Sequence, residues 1–371
     1  MEKESDKKKI VMFHPYLPEQ AIQAASETMR TRWIGQAHQV DEAEEKFCKK
    51  FKIPYAVTLN CGTSALHLAA VLVGLKPGDE IISTPMTCTA TNIPIFHTGA
   101  KIIFADIQRD TLNINPESIR EKITPRTKAI MCVHWAGYPC DMDEIHQIAK
   151  EYNLKIIEDA AHALGATYKG KPIGSISDFT CFSFQAIKQI TTIDGGVLSM
   201  KNLFDYKKAK LLRWYGIDRE VKGDNFWKYH ITDAGYKYHM NDVTASILKV
   251  QLEHFDWVME KRNWIVQRYL HELKNIPGLT LLKRNSDRQS GNWIFTILVE
   301  RREDFIKKLA ENNIESAQGH IRNDICPIFG GERQKLPVMN ELEEKYISIP
   351  LHNHLSYEDV TRIIETIKNG W

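Results

Sequence analysis

Between residues 55 and 200 the chain alternates short β-rich runs with amphipathic helical stretches, and this alternation restricts the folds open to it more than any other feature. Residues 55–60, 80–84, 101–105, 128–133 and 154–158 read as strands, with helical segments between most of them. Repeated strand, helix, strand order requires crossover connections, so it predicts a largely parallel sheet covered by helices on both faces. Residues 179–184 and 195–200 add two strands, separated by a short segment that contains Lys188. The fold class is α/β.

Past this region come a helical stretch at 203–215, a polar and aromatic loop at 216–238 and a long helical pattern at 241–273. Ile276-Pro277-Gly278 marks a turn. The strand-like runs 279–283 and 293–299 and the helical patterns 302–312 and 357–368 predict a smaller C-terminal α+β domain. The expected division is a tail at 1–10, a large α/β domain at 11–255, and a linking helix with the smaller domain at 256–371.

Composition sets the function classes aside one by one. With 371 residues, 43% apolar and 26% charged, the chain reads as an enzyme-sized globule rather than a disordered one. Its 49 basic and 47 acidic residues nearly cancel, so it lacks the field that nucleic acid or an anionic membrane requires, and neither partner is expected. An anionic ligand must then be held by a local site. Seven cysteines, an odd number without CxxC spacing, predict neither a disulfide framework nor a metal site. The first nine residues carry both signs of charge, and no apolar run follows that could serve as a signal or a membrane span. Cytoplasmic residence is the expectation.

Three features stand at ends of predicted strands, where open α/β sheets bind ligands. Asn60-Cys61-Gly62-Thr63-Ser64 lies between a strand and the apolar helix predicted at 65–73. Gly62 allows close backbone approach and the helix N-terminus suits a phosphate, although Thr63 or Ser64 would serve equally as a plain N-cap. Glu158-Asp159-Ala160-Ala161-His162 follows an apolar strand. Asp159 reads either as a cap or as the carboxylate that pyridoxal 5'-phosphate (PLP) needs against its pyridine nitrogen, to keep that ring an electron sink. Lys188 follows the apolar strand ending Phe182-Ser183-Phe184 and precedes Asp194-Gly195-Gly196. A lysine so confined has a lowered amine pKa, and it can form a Schiff base and then shuttle a proton.

Taken in order, Asn60-Cys61-Gly62-Thr63-Ser64-Ala65-Leu66, Val133-His134-Trp135-Ala136-Gly137, Glu158-Asp159-Ala160-Ala161-His162, the Ser183-Phe184 to Lys188 segment and Asp194-Gly195-Gly196 resemble the DegT/DnrJ/StrS family of sugar aminotransferases. The likeness continues through Gly235-Tyr236-Lys237-Tyr238-His239-Met240-Asn241-Asp242 and Ile349-Pro350-Leu351-His352. The resemblance implies a fold-type-I aminotransferase, homodimeric with shared active sites, that uses PLP. By it, Lys188 is the cofactor lysine and the acid/base, and Asp159 pairs with the pyridinium nitrogen. His162, where relatives more often carry Gln, lies near the phenolic oxygen, and Thr63, Ser64 and Ser183 hold the phosphate.

Two positions depart from the family pattern. Cys88 stands in the segment where many relatives place an aromatic residue against the cofactor ring, and Lys237 stands where Asn often reaches the partner's phosphate. Lysine remains a competent phosphate partner as a point charge. Cys88 reads otherwise as an inert packing thiol. For the substrate, the family implies contacts from Trp33, His320 and Arg322. Core packing for Trp33 and a surface salt bridge for Arg322 are the plain alternatives.

The implied reaction passes an amino group from an amino acid, glutamate by family habit, to a nucleotide-linked keto-deoxy sugar, in two ping-pong halves. A sugar dehydratase of the same family would carry histidine in place of Lys188. A non-catalytic nucleotide-sugar binder has no use for the pair Lys188 and Asp159. A nicotinamide oxidoreductase would need a GxGxxG after an early strand, and the chain has none there.

Overall fold

Seven strands build the central sheet of this computed structural model, which describes residues 8–219, 231 and 233–371. Along the chain, strands β1 Tyr55–Leu59, β2 Glu80–Ser83, β3 Lys101–Phe104, β4 Thr127–Val133 and β5 Lys155–Asp159 come first. A small pair, β6 Thr167–Tyr168 and β7 Lys171–Pro172, precedes β8 Phe179–Ser183 and β9 Gly196–Met200. The spatial order is β1-β9-β8-β5-β4-β2-β3, and only β9 runs against its neighbours. The mostly parallel sheet expected from the alternating pattern is what forms.

Successive residues of these strands enter opposite cores. Ile82, Ile130, Ile156, Phe182 and Val197 join one apolar cluster. Their neighbours Ile81, Met131, Ile157, Cys181 and Leu198 join another on the other face. Both faces are therefore covered, which is why these strands read as continuous apolar runs. Each such buried side chain contributes roughly 1.5–3 kcal/mol.

Parallel register gathers the strand ends that matter. Val133 pairs with Asp159, Asp159 with Cys181, and Ser183 faces Gly196, which in turn faces Leu59. The ends of β1, β4, β5 and β8 thus share one edge of the sheet. β5 includes Asp159 as its last residue, one position further than the sequence pattern predicts.

The helix after β1 starts earlier than predicted, at Gly62 rather than residue 65, and spans Gly62–Val73. Neither Thr63 nor Ser64 is its cap. Extended Cys61 takes that place, and its thiol accepts the Ser64 N–H. Gly196 lies directly beneath: a Cβ there would sit 2.5 Å from the carbonyl carbon and oxygen of Cys61. Neither partner is a side chain that could swing aside, so Gly196→Ala is expected to destabilise the protein by about 1–3 kcal/mol or more. A thermal melt of that variant checks it, and an unchanged Tm would refute the interlock.

Asn241 caps the long helix Asp242–Glu272, its side chain accepting the Thr244 N–H. Beyond it, β10 Leu279–Leu281, β11 Arg288–Gln289, β12 Phe295–Val299 and β13 Tyr346–Ile349 follow. β10, β12 and β13 form an antiparallel sheet, while β11 joins β6 and β7. The antiparallel sheet packs on Ile265 and Tyr269 of the long helix, on Ile363 and Ile364 of Tyr357–Lys368, and on Ile10 near the start. The expected strand at 293–299 begins only at Phe295, because left-handed Asn292 turns the chain just before Trp293. The predicted helix 203–215 stops at Leu212, where Arg213 instead turns inward to pair with buried Glu44. Much of the predicted loop 216–238 lies outside the described residues.

Candidate active site

The loop from β8 to β9 closes on itself and thereby fixes Lys188. Phe184 donates its N–H to Gly195, and the Phe184 carbonyl accepts from the Thr192 N–H and the Thr191 hydroxyl. Gln189 fastens the far side by donating to the carbonyls of His162 and Gly291. Part of the Lys188 stem remains accessible, but its amine end lies deep among protein atoms. Burial pushes the amine down to about 8, while the electrostatic influence of Asp159, and then of Cys88, acts to raise it. Nζ stands 3.9 Å from the ring centroid of Trp293.

Asp159 is buried and held in place from two sides. One carboxylate oxygen accepts the Ala161 N–H at 3.0 Å, and the other accepts the Thr91 hydroxyl at 2.6 Å. The Thr91 oxygen is also 2.6 Å from that of Thr87. Both threonines are fully enclosed, so these contacts are shielded from solvent competition. Cys88 sits as the N-cap of the helix Thr89–Phe96, beside Thr87 and within the electrostatic reach of Lys188.

His162 is only 3% exposed and stacks on Trp293, with ring centroids 3.7 Å apart and planes 14° from parallel. His320 lies nearly parallel to His162 at 5.7 Å, and Trp135 meets both rings edge-on. Burial, reinforced by Lys188, drives His162 well below the usual histidine range and His320 to about 4. Both rings are therefore neutral at physiological pH. His162 Nδ1 and His320 Nε2 are buried without a hydrogen-bond partner.

The phosphate-type cradle is likewise assembled. A Cβ on Gly62 would come within 2.9 Å of the Ser183 Cβ, so only glycine lets the helix N-terminus approach the end of β8. Thr63 and Ser64 occupy the first turn, where backbone N–H groups lack partners within the helix.

Three expected residues are not brought to this cluster within one chain. Trp33 is 56% exposed, which excludes the core-packing alternative. Lys237 is exposed, on a segment whose backbone pairs with Trp214. Arg322 is corrected on both readings: it is 1% exposed, not a surface residue, and its guanidinium is occupied. It grips Asp324 with two nitrogens and also bonds Asn340 and Glu343. A cation so engaged is a structural clamp and presents no open face to a diphosphate. Trp293, Trp135 and Thr91, none of them assigned a role from the sequence, are in the cluster instead. Trp135 had a signal in the Val133–Gly137 motif, and Thr91 lies in the first turn of the helix Thr89–Phe96 that follows Cys88.

The orphaned nitrogens of His162 and His320, the enclosed amine, the fixed carboxylate and the glycine-lined helix N-terminus together fit PLP. Fold and site define a PLP-dependent aminotransferase. Residues 15–368 match the DegT/DnrJ/EryC1/StrS aminotransferase family, and the chain belongs to that family of sugar aminotransferases. It is 35% identical over 367 residues to the GDP-perosamine synthase of Escherichia coli O157:H7, covering 97% of this chain and 98% of that protein. A second relative, the UDP-4-amino-4-deoxy-L-arabinose–oxoglutarate aminotransferase of Shewanella sediminis, is 32% identical, with 95% and 96% covered. Among solved structures, Spr1654 of Streptococcus pneumoniae in its PLP form superposes with a TM-score of 0.90 at 32% identity, covering 98% of each chain. The same protein has also been solved in a PMP form. Among the described residues no helix is long and apolar enough to cross a membrane.

Proposed function

We propose that this enzyme passes the amino group of L-glutamate to the ketone of a nucleotide-linked keto-deoxy sugar, as a cytoplasmic homodimer with shared active sites. The observation that carries this reading is the enclosed Lys188 amine over the Trp293 ring with buried Asp159 nearby, at the carboxyl edge of a mostly parallel sheet. Bound there, PLP supplies an electron sink for the carbon that loses or gains a proton. Lys188 anchors the cofactor at rest and, once free, holds and returns that proton on Nζ. Asp159 would keep the pyridine nitrogen protonated, and neutral His162 would lie toward the phenolic oxygen. Gly62, Thr63, Ser64 and Ser183 would hold the phosphate, and Cys88 would take the place on the ring side. Trp135 and Trp293, both fully buried, exclude water from the amine.

The glutamate donor is supported by the oxoglutarate in the name of one relative, and the nucleotide sugar by the GDP and UDP in both names. His320 borders the sugar. Surface-exposed Lys237 is assigned to the phosphate of the partner subunit's site, and surface-exposed Trp33 to the sugar pocket; the exposure of both side chains supports this reading. Arg322 supports the adjoining loop through its ion pairs.

Purified protein is expected to be yellow, and to lose that colour with excess glutamate. Protein that stays colourless after incubation with PLP would overturn the reading. Keto sugars carrying uridine, thymidine, guanosine or cytidine nucleotides, followed by mass spectrometry, identify the acceptor. Mixing Lys188→Ala with Lys237→Ala chains should recover part of the activity if sites are shared, and no recovery counts against Lys237 acting in trans.

A further inference from the structure

Trp293 is the ring that the Lys188 amine meets, with Nζ 3.9 Å from its centroid. An indole face attracts a cation more strongly than any other side-chain ring. This ring is also unusually constrained. Its Nε1–H donates to the carbonyl of Ile187, the residue before Lys188, at 2.9 Å. Its backbone N–H donates to Ala136, and His162 stacks parallel to it at 3.7 Å.

The Trp293 carbonyl is held by a buried arginine. Arg262, on the long helix, donates to the carbonyls of Asn292, Trp293 and Leu351 and to the side-chain oxygen of Asn353. No carboxylate pairs with it among the described residues, and burial lowers it to about 10. A buried cation bonded only to neutral oxygens is costly, and the segment it fixes is the one that carries the indole.

We propose that the indole face of Trp293 is the docking place of the Lys188 amine whenever that lysine is free of the cofactor, a positioning role that rests on the assignment of Lys188 made above. The freed amine must stay near enough to move a proton and then return. Unassisted burial would leave it an unanchored neutral amine. The indole favours the ammonium, in the same direction as Asp159 and Cys88 and against burial. It thereby fixes where the freed amine waits.

Lys188 is free in the enzyme after glutamate has converted it to the amine form, and that form provides the test. Trinitrophenylation of Lys188 across a pH series, read by peptide mass spectrometry, gives the midpoint of its deprotonation, expected near 8 in the parent enzyme. Trp293→Leu should lower that midpoint by about 0.5–1.5 pH units, the size of a partly to fully desolvated cation–π contact. Trp293→Phe should restore much of the loss. Mono- to trifluorinated tryptophan replaces all eight tryptophans without changing their shape much, so it keeps the test open if Trp293→Leu fails to fold. The midpoint should fall stepwise with fluorine number, because fluorine drains the ring face. An unchanged midpoint through the fluorinated series, or an equal fall in the Phe and Leu variants, overturns the docking role. Borohydride reduction of the resting enzyme separates the two levels. Cofactor fixed on Lys188 with an unmoved midpoint defeats this inference alone, and cofactor fixed on another lysine defeats the site assignment as well.

Discussion

Lys188→Ala is expected to lower amino transfer by about 10²- to 10⁴-fold, the range in which a positioned acid/base group acts. The loss should appear in each half-reaction, measured separately by stopped-flow absorbance with glutamate and with the keto sugar. Lys188→Arg should lose as much, since a guanidinium never gives up its proton at working pH. The pair of variants therefore separates charge from proton transfer. A small amine such as methylamine, added to the alanine variant, should recover part of the rate, because the cavity left around the former Nζ faces Asp159 and Trp293. Full activity in Lys188→Ala would remove the central residue from the mechanism.

Asp159→Asn carries the second large effect. The substitution is nearly isosteric: the amide oxygen can keep the Ala161 N–H, while the amide NH2 then faces the Thr91 oxygen, whose hydroxyl can turn to Thr87 instead. What disappears is the negative charge, enclosed where water cannot replace it. The rate of the glutamate half-reaction should fall by about 10²–10³-fold, comparable to losing one preorganised electrostatic partner at a reacting centre. Thermal stability should change far less, because the shape is kept and the Thr91 hydroxyl can reverse its direction toward Thr87. A rate within a few fold of the parent would show that the carboxylate does not act on the cofactor.

Lys188 and Asp159 were legible because their setting is local. Each lies within a few residues of an apolar strand that ends at the sheet's ligand-binding edge, and the strand pattern is a short-range property. The helix cap was misplaced for an equally local reason. Thr63 and Ser64 are far better caps by preference than Cys61, yet the close contact of Gly196 and Ser183 with this turn fixes where it begins, and those strands lie close to β1 in the sheet but far from it in the chain. Trp293 was illegible because an apolar residue opening a strand-like run reads as core, and it is core. Its second role comes from the approach of Lys188, a long-range pairing that no periodicity encodes. Arg322 failed similarly: which carboxylates claim a guanidinium is decided by tertiary folding.

The antiparallel strand β9 has a consequence for how the chain is made. β1 lies at the sheet edge, and among the described residues β9 is its only partner strand. β1 is thus synthesised early but remains unpaired while about 140 residues emerge, at roughly 5–20 residues per second. The helix N-terminus behind β1 and the lysine loop before β9 become neighbours in that single late closure. PLP capture by a nascent or truncated chain should accordingly begin only once β9 has left the ribosome, which makes the cofactor's colour a clock for the last step of sheet assembly.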